Sequence, residues 1–204
     1  MKQQWFKAGR LGGISDGVFA IAMTLLVLEL KLPELQEPVS REVFNKALLG
    51  QSPHFISWIL SFAILCRLWI TQHALLEYGD KKSRGFTTMN FVFLGAISFI
   101  PFPTSLISEH YDHPLSIIIF SVTLFIAGLA FVGMWRLLEK EGLDPDKLSE
   151  MNRRVRTVIV LILVIAVISC LLATLKPQLG VFVWIVFPFA GLTMKRKRVR
   201  QEKI

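Results

Sequence analysis

Charge is nearly missing from most of this chain. Asp, Glu, Lys and Arg make up 19% of the 204 residues, against roughly a quarter in an average soluble domain, and they gather in short clusters between long uncharged runs. Together with 53% hydrophobic residues and a mean hydropathy of +0.54, this excludes an ordinary water-soluble domain and fits a polytopic membrane protein. Cysteine is scarce too. Cys66 and Cys170 each lie inside an apolar run, which excludes a disulfide framework and a cysteine zinc site and leaves packing as their role. The net charge of +8 sits at the ends of apolar segments, so a nucleic-acid groove is excluded as well. No apolar run carries the row of arginines a voltage sensor needs, and no T-V-G-Y-G-type carbonyl filter occurs. Cofactor motifs and visible internal repeats are likewise absent, the latter weakening an inverted-repeat transporter reading.

What the chain does have is apolar length. A spanning helix needs about 20 apolar residues, and the sequence predicts six such runs at 11–30, 55–78, 86–107, 114–135, 155–175 and 177–194. The fold class expected is therefore all-α, one six-helix transmembrane domain over residues 1–204 that ends in a basic tail, 195–204. Lys176-Pro177 makes the turn between the last two runs, and the sixth is at the short end of the range. Of the 23 Lys and Arg, 18 lie in the N-terminal segment, the second and fourth loops and the tail, so both termini are expected on the cytoplasmic side. Asp16 interrupts the first run and no small-residue cleavage site follows it, which argues against a secretory leader. In the first outer loop, Val39, Val43, Ala47 and Leu48 recur at helical spacing, the pattern of a short helix on the outer surface.

Polar residues within the runs are few, and each asks for a partner because hydrocarbon supplies none. Asp16 stands about a turn and a half inside the first run, His73 a similar distance inside the second, and Asn90 about one turn into the third. Their common depth predicts one buried hydrogen-bond network holding the first helix, joined by Ser15 and Arg10 from the helix start, with Trp69 one turn above His73 on the same face. The competing reading makes Asp16 and His73 a proton relay in a coupled or substrate transporter. Arg67 lies deep in the second run, where carbonyls freed by Pro101 and Pro103 are possible acceptors. Gly13-Ile14-Ser15-Asp16-Gly17 matches a nucleophile elbow only in letters, since that motif needs a strand and a soluble sheet; no enzyme is expected. Glu109, His110, Asp112 and His113 crowd one outer loop, where a solvated turn explains them better than a metal centre does.

The stretch Arg10-Leu11-Gly12-Gly13-Ile14-Ser15-Asp16, continuing through Gly17-Val18-Phe19-Ala20-Ile21-Ala22-Met23-Thr24-Leu25-Leu26-Val27-Leu28-Glu29-Leu30, resembles the signature first helix of the prokaryotic transmembrane-protein-175-like potassium channel family. The family pattern is R-x-x-x-F-S-D; here Ile14 replaces the Phe. Trp69, His73, Asn90 and Pro101-Phe102-Pro103 extend the likeness into the second and third runs. The resemblance implies a potassium-preferring cation channel in a prokaryotic cell membrane, a homotetramer embedded in the lipid bilayer with the first helix of each subunit lining the axis. It implies potassium as the permeant ion, no cofactor, no other metal, and pore positions at Ile21, Thr24, Leu25 and Leu28. Helix geometry agrees: at about 100° per residue these four fall within an arc of about 100°, with Asp16 about 130° from its centre and so expected to face protein.

Overall fold

Serine and proline set most of the helix starts. The computed structural model describes residues 6–31, 39–78, 81–140 and 145–189. A two-residue strand β1 (Phe6–Lys7) leads into α1 (Ala8–Val27); α2 (Arg41–Gly50) and α3 (Ser52–Leu76) follow, separated by Gln51. After strand β2 (Lys81–Lys82) come α4 (Arg84–Phe99), α5 (Pro101–Glu109), α6 (Pro114–Lys140), α7 (Pro145–Leu175) and α8 (Pro177–Phe182), with a 3₁₀ segment at Val183–Phe189. The hydroxyls of Ser40 and Ser83 accept the Val43 and Phe86 N–H groups at 3.2 and 3.3 Å, capping α2 and α4. Proline opens α5 and α8, where its missing N–H is harmless.

The architecture is all-helical, and among the described residues five apolar helices are long enough to cross a membrane. The sixth expected run, 177–194, folds over its described part as one short α-helix and a 3₁₀ stretch with Pro188 inside it, about 23 Å in all. Residues 190–194 of that run lie outside the described residues. The basic tail, 195–204, lies outside the described residues. The third run is interrupted at Ile100 because neither Pro101 nor Pro103 can donate to the helical ladder, and the Ile97 carbonyl is taken up by the Ile100 N–H at 3.2 Å. The fifth run is the apolar part, Val155–Leu175, of a longer helix that begins at Pro145.

The core is centred on α6. Its Gly128 lets α7 approach so closely that a Cβ there would stand 2.8 Å from Ile162 Cγ2 and 2.9 Å from Leu163 Cδ2. An aromatic column runs from α1 through α4 to α6, with Phe19 and Phe93 ring centroids 5.9 Å apart and Phe93 and Phe131 4.4 Å apart. Docking of the short C-terminal element is polar. Ser121 donates to Ser169 at 2.8 Å, Ser169 donates to the Gly180 carbonyl at 2.6 Å, and the Trp184 indole N–H reaches both hydroxyls at 3.2 and 3.1 Å. At the other end of the bundle β1 pairs antiparallel with β2, Phe6 opposite Lys82. The buried Lys82 ammonium lies 4.9 Å from the Phe86 ring centroid and donates to the carbonyls of Leu75 and Tyr78, where a cation complements the C-terminal dipole of α3. The N-terminal segment and the α3–α4 loop, assigned to one side by their charge, are thereby joined.

Candidate ion path and its polar support

Helix α1 has two faces. Leu11, Ser15, Phe19, Ala22 and Leu26 recur every three or four residues and are buried against α3, α4 and α5. The opposite side leaves Ile14, Gly17, Ile21, Thr24, Leu25 and Leu28 uncovered, with Ile21 and Leu28 each 62% exposed and Leu25 40%. All four sequence-derived pore positions thus share the exposed stripe. Thr24 is the polar residue among them, and its hydroxyl donates back along the helix to the carbonyls of Ala20 and Ile21, both at 2.9 Å. With its proton so engaged, the oxygen presents lone pairs on the exposed side. Leu28 is already past the helix proper: its N–H bonds to the Leu25 carbonyl at 3.1 Å as the turn tightens.

The six polar positions expected to form one network separate into two groups and a remainder. One group is buried. Ser15 donates to the Leu11 carbonyl at 2.8 Å and accepts from the Gln72 amide at 2.6 Å and the Asn90 amide at 3.5 Å; Gln72 also donates to Asn90 Oδ1 at 2.8 Å. One hydroxyl with one donor and two acceptor sites is thereby filled, and α1, α3 and α4 are tied together. The residue that completes this group is Gln72, which the sequence reading passed over for its neighbour His73. Its signal was there: an uncharged amide inside an apolar run asks for a partner as a charge does.

The second group is exposed on the protomer. The Trp69 indole donates to Asp16 Oδ1 at 2.8 Å, its ring lies 5.5 Å from that of His73, and His73 Nε2 stands 3.6 Å from Glu77 Oε1. Asp16 therefore sits at the open α1–α3 edge instead of facing the protein interior, because one residue beyond buried Ser15 is a turn of about 100°. Arg10 is exposed and makes no hydrogen bond or ion pair among the described residues. Arg67 is half-buried, and its own carbonyl accepts from Thr71 at 2.9 Å. Farther along, two further bonds that the sequence reading missed steady α5: Ser61 with Thr104 at 2.8 Å, and Ser105 donating to Glu29 just beyond α1 at 2.6 Å. His110 and His113 meet edge to face at 6.3 Å, and among the described residues no three His, Cys, Asp or Glu converge.

Residues 10–101 match the family model described as endosomal/lysosomal potassium channel TMEM175. A potassium channel of Chamaesiphon minutus is 34% identical over 133 residues, covering 64% of this chain and 65% of that one, just under two thirds of its length. A potassium channel of Streptomyces collinus is 29% identical over 145 residues, with 68% and 69% covered. The human endosomal/lysosomal proton channel TMEM175 is 29% identical over 67% of this chain, which spans only 30% of that protein. Among solved structures, that of a lysosomal potassium-selective channel TMEM175 homolog from Chamaesiphon minutus superposes with a TM-score of 0.72 at 28% identity, covering 89% of this chain and 94% of that one.

Proposed function

We propose that the chain is an ion channel of the TMEM175 kind, which conducts cations with a preference for potassium as a homotetramer whose four copies of α1 surround the axis, a reading supported by the family-model match, the bacterial relatives and the shared fold. The observation that carries this is the uncovered apolar stripe of α1. A helix this exposed within its own protomer must be covered by lipid, by another copy or by a water-filled path, and a closed ring of copies supplies the last two together. Ile21, Leu25 and Leu28 follow i, i+4, i+7 spacing, so four copies would stack apolar rings over about 10 Å.

Such rings offer a cation no ligand. Narrow, they close by dewetting; wider, they pass ions that keep most of their water. Potassium holds its hydration shell less tightly than sodium and meets the lower barrier, and the outward lone pairs of Thr24 give it an oxygen between the inner and middle rings. Ser15, Gln72 and Asn90 hold α1 in register from behind, while Asp16, Trp69 and His73 support its cytoplasmic end. The setting is a prokaryotic cell membrane with both termini inside, residues 1–204 forming one channel unit.

Single-channel recording of the purified protein, with potassium and sodium on opposite sides of a bilayer, tests the reading. Thr24→Ala is expected to lower the potassium-to-sodium permeability ratio, and native mass spectrometry to give four subunits. Saturable, coupled flux without unitary currents would return the Asp16–His73 transporter reading, and a conducting monomer or dimer would overturn the shared axis.

A further inference from the structure

Helix α2 has no buried residue, yet its sequence is strongly two-sided. At about 100° per residue, Val43, Ala47, Phe44 and Leu48 fall within an arc of about 140°, and Glu42 and Asn45 point the other way. Leu49 is the one apolar residue on that far side. The two basic residues are placed differently from the acidic one: Arg41 borders the apolar arc beside Leu48, and Lys46 borders it beside Val43. Val43, Phe44 and Leu48 are 52%, 42% and 40% exposed, so the described residues leave much of this face open. Only Gln51 separates α2 from membrane-spanning α3, and Leu48 shares a small cleft with Leu30, Gln51 and Phe55. Through Leu48 and Phe55 the apolar face of α2 thus meets α3, where Phe55, Ile56 and Ile59 are exposed as well.

We propose that α2 lies in the plane of the bilayer interface, with Val43, Phe44, Ala47 and Leu48 among the acyl chains and Arg41 and Lys46 reaching anionic headgroups along its two edges. The occupant is lipid because of that charge order. Long basic side chains bury their stems beside acyl chains and raise their charge to the phosphate level, whereas a carboxylate at the same border would be repelled. Glu42 stands clear of it. The inference rests on the helices spanning a bilayer, not on what the channel conducts, so its test needs no current.

The test uses the full chain in nanodiscs, with Cys66→Ala and Cys170→Ala as background and single cysteines introduced as Phe44→Cys, Leu48→Cys, Glu42→Cys and Asn45→Cys. Because α2 buries nothing, these variants keep the fold, which gel filtration verifies. A membrane-impermeant maleimide is expected to label Phe44→Cys and Leu48→Cys about tenfold more slowly than the other two. Nitroxides at the two slow positions should be relaxed by oxygen and not by a nickel chelate. Equal, fast labelling at all four positions would overturn the proposal. So would slow labelling with both relaxants excluded and a bismaleimide cross-link between copies, which would make the face a subunit contact. In phosphatidylglycerol discs, Arg41→Gln with Lys46→Gln should shift the Phe44→Cys nitroxide toward the nickel chelate, with little change in phosphatidylcholine; an unmoved nitroxide in both overturns the headgroup role.

Discussion

Helix α6 buries 56% of its most apolar stretch inside the protomer, while α1 buries 28%. Their glycines show the difference at atomic scale. A Cβ on Gly128 of α6 would collide with Ile162 and Leu163, and one on Gly133 would stand 2.8 Å from Met89 Sδ. Built on Gly9, Gly12, Gly13 or Gly17 of α1, it would meet nothing within 4 Å. In α6 small residues serve the close packing of helices; in α1 they thin the wall of a face that the protomer leaves open. Apolar composition therefore does not distinguish a structural helix from the one proposed to line the channel. Which neighbours its small residues have does.

The sharpest way to break this comparison is a matched pair of substitutions. Gly128→Val should overpack the α6–α7 contact, lowering stability by roughly 1 to 3 kcal/mol or more, visible as a lower unfolding temperature in detergent. Gly17→Val should leave that temperature nearly unchanged and reduce unitary conductance, since its side chain enters the open face of α1. Equal destabilisation of both would mean that the α1 face is tightly packed in the assembly.

The two polar groups sharpen the contrast further. Removing Gln72 or Asn90 by alanine leaves buried partners unsatisfied, at about 1 to 3 kcal/mol for each lost group, and a double-mutant cycle between them should show strong coupling. His73→Ala should cost less than about 1 kcal/mol, because its pairing with Glu77 is exposed to solvent in the protomer. A larger loss for His73 would show that assembly buries the Asp16–Trp69–His73 edge. Ile21→Asn is expected to change stability little and to raise conductance by wetting an apolar ring, as read in unitary currents. The smallest effect belongs to Ser40→Ala, which removes the cap of α2, about 1 kcal/mol locally; hydrogen exchange at residues 41–44 should quicken while global unfolding stays put.

The spans and their breaks were legible in the sequence, for a bilayer demands long uncharged runs and proline interrupts a helix wherever it falls. The exposed stripe of α1 was legible too, since helical spacing alone brings Ile21, Thr24, Leu25 and Leu28 together. Depth along the membrane could be counted, which is why Asp16, His73 and Asn90 were put at one level. Direction around the helix could not. Gln72 and His73 differ by one residue and hence by about 100°, as do Ser15 and Asp16, and only the packing of α1 against α3 and α4 decides which member of each pair turns inward. The same limit applies to the last apolar run. Its composition predicted a span, and over the described residues the contacts of Trp184 and Gly180 with Ser121 and Ser169, and the 3₁₀ turn around Pro188, decide how it packs on α6 and α7. Sequence spacing fixes where a side chain lies along its own helix, whereas the partner it finds depends on the rotation of neighbouring helices, which the tertiary packing alone sets.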